Sequence, residues 1–525
     1  MREMVLTVLD TTGIQDYVFG TNQLRQNVGA SYLVDCATRL WVADALKGRH
    51  NVTDLDWPHK MSGERIEDGR LQAEVIYAGG GNAVILFAGL PAALDFAQRL
   101  TTRTLLDAPG LQLVLCHVPF DWDGEALGGP HGVMTRAFGE LAARKADRTR
   151  SAPLLGLGVT AACPYTGLPA GWVDQLEGRG VSTEVAAKLA AVDDANDRLG
   201  KLFTFGPYQV PYQMDDLGVG EDKAGYIAVI HTDGNGMGRR VEKIRDAFPQ
   251  AAQNRAYVGE IRAFSDSIRQ ATLMALQETI NALVGSIDTA AHSIGEVKLS
   301  GGFLPFRPLV FGGDDVTFIC DGRLGLTLAA TYLQRMASKK LSDGGYLHGR
   351  AGVAVVKKHY PFARAYDLAE ELCKSAKEYI KEQRDPEGVT AMDWHFAVSG
   401  LVESLKAVRE REYQVPAGTL IMRPVRLTAQ DRDWRSWATF ERISREFRDG
   451  DEWKDRRNKV MALRETLREG VEAVGNFRTL YRMPNLPEVP PYETLKTQGW
   501  HGGRCAYFDS IEALDFYVPL KGGGA

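Results

Sequence analysis

The sequence predicts an α+β protein built on an internal duplication, and three stretches carry that prediction. Residues 225–233 form a continuous apolar, β-branched run that ends in Asp233 and meets the glycine-rich turn Gly234-Asn235-Gly236-Met237-Gly238. Residues 306–320 hold two short apolar runs around Gly312-Gly313-Asp314-Asp315, the pattern of a hairpin whose glycines admit positive φ. Both patterns recur near the N-terminus, where residues 4–13 repeat the strand, aspartate and glycine turn and residues 75–87 repeat the glycine hairpin.

Composition bounds the answer. At 525 residues, with 44% hydrophobic and 25% charged residues, the chain is ordinary globular sequence long enough for several domains. A net charge of -5 argues against a protein whose main task is coating nucleic acid and favours small nucleotides as ligands. No apolar run reaches the length of a membrane span and no signal peptide opens the chain, so a cytoplasmic, membrane-free protein is expected. The six cysteines are scattered without CxxC pairs and read as buried thiols, neither a disulfide framework nor a zinc site.

Taken in order, residues 1–120 form the first copy. It has lost its acids: Asn82 and Ala83 stand where the second copy has Asp314 and Asp315, leaving Asp10 alone. One carboxylate cannot hold two metals, so this copy is expected to be catalytically silent. Residues 29–46 have helical spacing, with Leu33, Ala37, Leu40, Trp41 and Ala45 on one face, and a helix near 91–106 and a strand near 111–119 follow. Residues 121–222 lose clear periodicity and read as a connector.

Residues 223–398 form the second copy. Helix 256–284 carries Val258, Ile261, Phe264, Ile268, Leu273, Leu276 and Ile280, the stripe of a helix laid on a sheet, with Ser265 and Ser267 along it. A helix over 324–336, a strand over 349–356 and a helix over 362–382 come after the hairpin. Lys374, Lys377 and Lys381 share a face of that last helix, as an ion-paired surface or a row of charges for phosphate. Residues 399–525 are helical and charged, clearest over 434–447 and 453–480, and the glycine tail 522–524 is expected to fray.

Three acids gathered at a strand end and a hairpin tip point to phosphoryl or nucleotidyl transfer. Carboxylates a few Å apart repel by about 4 kcal/mol per pair at an effective dielectric near 20, so a cation between them is needed. Two Mg²⁺ or Mn²⁺ ions suit the oxygen-only donors, with Asp233, Asp314 and Asp315 as metal ligands and catalytic residues. Glycines in a turn before a helix let backbone N–H groups approach phosphate, which makes Gly234, Asn235, Gly236 and Gly238 a triphosphate cradle beside Gly312 and Gly313, with Arg239 and Arg240 as possible helpers.

These residues resemble a family. The hairpin with Leu304-Pro305-Phe306-Arg307-Pro308-Leu309-Val310, the Asp233 turn and Ala376-Lys377 look like the second palm domain of the large subunit of type III CRISPR effector complexes, a relative of GGDEF and adenylyl cyclase palms. Residues 14–19 and 24–31 resemble its first palm. The resemblance implies two ferredoxin-like palms in contact with each other, a connector and a C-terminal helical domain. It further implies a synthase that turns ATP into cyclic oligoadenylates, second messengers of antiviral defence, beside other effector subunits and guide RNA. Lys377 would then meet phosphate, Lys374 and Lys381 more weakly, and Ser265 the base. At the connector the family has a Cys-X-X-Cys zinc ribbon, whereas here Cys163 has Thr166 in the second place, so a metal-free connector is expected. The family's His-Asp nuclease has no counterpart in the chain, and DNA cleavage is not expected. Alternatives from the same residues are another cyclic mononucleotide or dinucleotide synthase, or a non-catalytic nucleotide-binding scaffold in a ribonucleoprotein.

Overall fold

The computed structural model describes residues 2–53, 61–148, 156–217, 225–397, 404–428 and 433–521. The expected domain boundaries at 222/223 and 398/399, and the glycine tail, lie outside the described residues.

Two sheets share one strand order. In the first, Glu3–Thr12 lies between Asn82–Phe87 and Gln112–Asp121, with Ala73–Gly79 beyond the hairpin turn, all antiparallel. In the second, Tyr226–Gly234 lies between Val316–Asp321 and Gly349–Lys357, with Phe306–Val310 beyond the hairpin. Each is the split β-α-β arrangement, in which a hairpin and a returning strand flank the first strand. The second sheet continues into Ala391–Ala397, parallel to its neighbour, and the short Val425–Arg426.

Register fixes which residues correspond. Asp10 pairs with Asn82, whereas Thr232 pairs with Val316 and so sets Asp233 against Asp315. Asp10 and Asp233 also precede equivalent left-handed glycines, Gly13 (φ 64°) before helix Ile14–Phe19 and Gly236 (φ 68°) before helix Met237–Asp246. Asn82 therefore matches Asp315 and Gly81 matches Asp314, so the alignment read from sequence was one residue out. Ala83 matches Val316, a fully buried strand position in both copies.

The two units exchange helices. Ser31, on helix Leu24–Asp35 of the first, donates to the Leu309 carbonyl in the second at 2.5 Å, and Phe19 stacks on Tyr366 with ring centroids 4.1 Å apart. In return the 32-residue helix Asn254–Gly285 begins beneath the first sheet, where Tyr257, Val258 and Ile261 pack against Leu6, Val84 and Val118, and ends in the core of the second. Glu74, fully buried in the first sheet, accepts from Arg255 Nη1 at 2.7 Å and Arg262 Nη2 at 2.8 Å on that helix. The expected contact between the two copies is thus present.

Two readings need correction. Residues 121–222 are less of a connector than expected: Val133–Asp147 is a helix whose Val133, Met134, Ala137 and Leu141 cover the first sheet, a stripe too thin in large apolar residues to read as such. Residues 404–521 do not form a separate helical body. Trp437–Asp449, Arg457–Glu469 and Val471–Leu480 are helices, but Phe440, Leu463 and Phe477 share one core with Trp394 of the second sheet, and four two-residue strands make a small sheet among them. Arg423, Asp509 and Glu512 tie this region together as a buried ion network, with Arg423 Nη1 2.8 Å from each carboxylate.

Candidate active site

Asp233 ends the central strand of the second sheet, and Asp314 and Asp315 occupy the adjoining hairpin tip. One carboxylate oxygen from each lies within 4.8 Å of the others, the only such cluster of three among the described residues. Local sequence makes the approach possible. A Cβ on Gly234 would sit 3.0 Å from Asp314 Cβ, so glycine there leaves the acid its room, and Gly312 takes φ 106° to turn the hairpin.

Crowding raises the proton affinity of the pair. Burial lifts Asp314 above the ordinary carboxylate range. Asp315, which keeps access to solvent, is pushed up to about 7 by desolvation first, then by Asp314 and Glu370. Asp233 is held differently. Arg350 stands opposite it on the neighbouring strand and forms an ion pair with its carboxylate, while Nη1 donates to the Gly234 carbonyl at 3.0 Å and Asn235 Oδ1 at 2.9 Å. Under this group, His231 Nδ1 lies 3.3 Å from Thr317 Oγ1 and 3.4 Å from Tyr366 Oη. Burial first, then Arg350, lowers His231 to about 4, so its imidazole is neutral at pH 7 and is no proton carrier.

Asp314 and Asp315 border a cleft of about 730 Å³ between the two units, whose walls include both hairpins and Ser265. The hairpins meet backbone to backbone: a Cβ on Gly313 would lie 3.6 Å from Gly80 Cα, and one on Gly80 3.7 Å from Gly313 Cα. By register these glycines are equivalent, so a pseudo-two-fold axis passes between the tips.

No family model matches the sequence, and no curated protein matches it. Solved structures do. A Csm1–Csm4 cassette in complex with cA4 superposes with a TM-score of 0.54 at 13% identity, covering 98% of this chain and 70% of that one. Csm1 of T. onnurineus gives 0.53 at 14%, over 99% and 70%, and a Csm1–Csm4 cassette with pppApA gives 0.52 at 14%, over 98% and 70%. This chain has the Csm1 fold.

The structure brings together Asp233, Asp314, Asp315, Gly234, Gly312 and Gly313, with Ser265 across the cleft. It gives other predicted residues different surroundings. Asn235 is buried and committed: its side chain accepts from Arg350 and donates to the Val389 carbonyl at 2.7 Å, and its backbone N–H donates to the His348 carbonyl at 2.9 Å, so it has no donor left for phosphate. Gly236 caps helix Met237–Asp246, and Gly238 lies exposed in its first turn. Arg240 is paired with Asp343 and Arg239 with Glu387 at 3.3 Å. Lys374 and Lys377 are exposed on helix Phe362–Lys381 and are not among the cleft walls, and Lys381 pairs with Glu378 at 2.8 Å. Ser267 is spent on the Phe264 carbonyl at 2.8 Å. In the connector Cys163 packs with Val181 and Val185. Sequence reasoning missed Arg350, although the one basic residue opening the strand 349–356 was a usable signal, because only the register sets it against Asp233.

Proposed function

We propose that the protein is a metal-dependent nucleotidyltransferase that joins ATP into cyclic oligoadenylates, acting as the palm-bearing subunit of a type III CRISPR-like antiviral effector. The observation that carries this is the three-carboxylate cluster at the mouth of a cleft between two pseudo-symmetric palms. Csm1 structures with cA4 and pppApA share the fold. Other effector subunits and guide RNA are the partners this reading implies.

An all-oxygen donor set fits hard divalent ions, Mg²⁺ or Mn²⁺, on Asp233, Asp314 and Asp315. Bound there, two such ions would activate the attacking hydroxyl and stabilise the leaving pyrophosphate. The chain supplies the rest. Arg350 fixes the Asp233 carboxylate, Gly234 leaves space for Asp314, and the backbone N–H groups opening helix Met237–Asp246 offer donors to phosphate oxygens. Opposed hairpins hold two nucleotides face to face, so that a ribose hydroxyl of one meets the α-phosphate of the other. Ser265 on the cleft wall would meet a base. The exposed Lys374 and Lys377 could meet phosphate only beyond the cleft, and we assign them the weaker role.

The Arg350–Asp233 ion pair favours a second reading, a nucleotide-binding scaffold in which arginine takes a metal's place. Incubating the protein with ATP and Mg²⁺ or Mn²⁺ and resolving products by mass spectrometry, beside Asp314→Ala/Asp315→Ala, separates the two. Cyclic adenylates lost in the variant support the synthase; products from GTP instead indicate a cyclic dinucleotide enzyme. No product with any nucleotide, alone or with co-purified subunits and RNA, leaves the scaffold.

A further inference from the structure

The backbone delivers Arg350 to the acids from inside the sheet. Strand Gly349–Lys357 is paired on one side with Tyr226–Gly234 and on the other with Ala391–Ala397, which sets Arg350 between Asp233 and Ala391. Two glycines let its neighbours close in. A Cβ on Gly349 would stand 2.9 Å from the Asp233 carbonyl oxygen, and one on Gly352 1.9 Å from the Ala369 carbonyl oxygen of helix Phe362–Lys381. Arg350 is 5% exposed, and the strand that carries it is held from both edges and from above.

Its guanidinium bonds to oxygens of three kinds. Nη2 pairs with the Asp233 carboxylate, and Nη1 donates to the Gly234 carbonyl and to the Asn235 side-chain amide oxygen. Carboxylate, backbone carbonyl and amide oxygens are also what a hard divalent ion takes as ligands, so a cation of the chain's own stands at the Asp233 corner of the cluster. The charged neighbours that act on Asp315 are, by contrast, the acids Asp314 and Glu370. With the three acids ionised, one guanidinium leaves two negative charges, which a single divalent ion cancels. A further ion meets a guanidinium bonded to its own ligand, and like charges a few Å apart disfavour one another. A triphosphate offsets this, because it brings negative charge and phosphate oxygens as ligands.

We infer that Arg350 makes loading of the metal site conditional on nucleotide: it lowers the affinity of the Asp233 cluster for divalent ions, so that the cluster fills only when a triphosphate adds its charge and ligands. The inference rests on the nucleotidyltransferase reading and makes Arg350 a positioning residue that acts through Asp233. Nothing covalent is asked of it. The coupling is reciprocal, so bound ions raise the affinity for triphosphate by the same factor. A site that gathers its ions only with substrate does not polarise water while it waits.

The test is Mn²⁺ binding to the full chain, followed by loss of the free-ion electron paramagnetic resonance signal. Without nucleotide, Arg350→Gln should bind Mn²⁺ at least about tenfold more tightly than wild type, and Arg350→Lys, which keeps the charge, should stay within about threefold of wild type. At the free Mn²⁺ concentration that half-fills Arg350→Gln, wild type should be less than about a tenth filled alone and more than about half filled with ATP bridged by a methylene between its α- and β-phosphates. Damage to the fold would weaken binding, so it cannot produce the gain; Arg350→Met, also without charge, repeats the test if glutamine unfolds the chain. Equal or weaker Mn²⁺ binding by the uncharged variants overturns the inference. The nucleotidyltransferase reading survives that result if Asp314→Ala/Asp315→Ala loses the ion, whereas no Mn²⁺ bound by any form, with or without the analogue, overturns both.

Discussion

Asp10 and Asp233 occupy equivalent places in the two copies, yet their surroundings resolve differently. Asp10 forms an ion pair with Lys145, reached from the helix Val133–Asp147 that follows the fourth strand. Asp233 pairs with Arg350, from the fourth strand itself, where the first copy has Val114 in the same register. In the first copy one acid meets one base and the account closes. In the second, three acids meet one arginine, and an excess of negative charge is left at the hairpin. The comparison teaches that the first copy is electrostatically closed by its own lysine, while the second keeps an excess of negative charge, which is what the proposed cations would neutralise.

The sharpest way to break that contrast is to remove the excess. Asp314→Ala/Asp315→Ala should lower adenylate formation at least about a thousandfold, because metal ions supply several kcal/mol of transition-state stabilisation. Its melting temperature without metal should equal or exceed that of wild type; a large fall would mean that the acids are structural. Next comes the contact between copies. Gly313→Ala places its Cβ at an ordinary contact distance from Gly80 and should be tolerated, whereas Gly313→Val should prise the hairpins apart and cost roughly a hundredfold in product formation, without unfolding.

A smaller effect is in pH. Asp315 is raised from 3.8 to about 7 in the fold, so the folded state holds its proton more tightly than the unfolded one. Stability without metal should therefore be greatest below pH 3.8 as far as this group is concerned and decline as pH rises to about 7. Thermal melts at pH 5 and pH 8 in EDTA should show the drop, and Asp315→Asn should remove most of it. Mg²⁺ should restore the lost stability at pH 8, where Asp315 has given up its proton. The smallest effect belongs to the first copy: Asp10→Asn should change product formation by less than about twofold, and a larger loss would give that copy a part in the chemistry.

Much of this was legible in sequence where residue chemistry is local. Glycine and aspartate punctuate the turns at Gly234 and Gly312, and apolar spacing located the helices Asn254–Gly285 and Phe362–Lys381 to within a few residues. What depends on pairing distant segments was not legible. The one-residue error at Asn82 and the Arg350 and Lys145 partners follow from register or helix packing, which no window of sequence contains. The C-terminal region read as a domain of its own because its amphipathic helices show a buried face but not what buries it.

The helix Asn254–Gly285 has a consequence for the order in which the chain can be finished. Glu74 has no counter-charge until Arg255 and Arg262 have been synthesised, and the outer face of the first sheet lacks Tyr257, Val258 and Ile261 until then. On a ribosome, the N-terminal half must wait for more than a hundred residues beyond its last strand, Gln112–Asp121, before its core is closed. The chain therefore matures as one object, and a protease or a stop codon between the copies yields no working half.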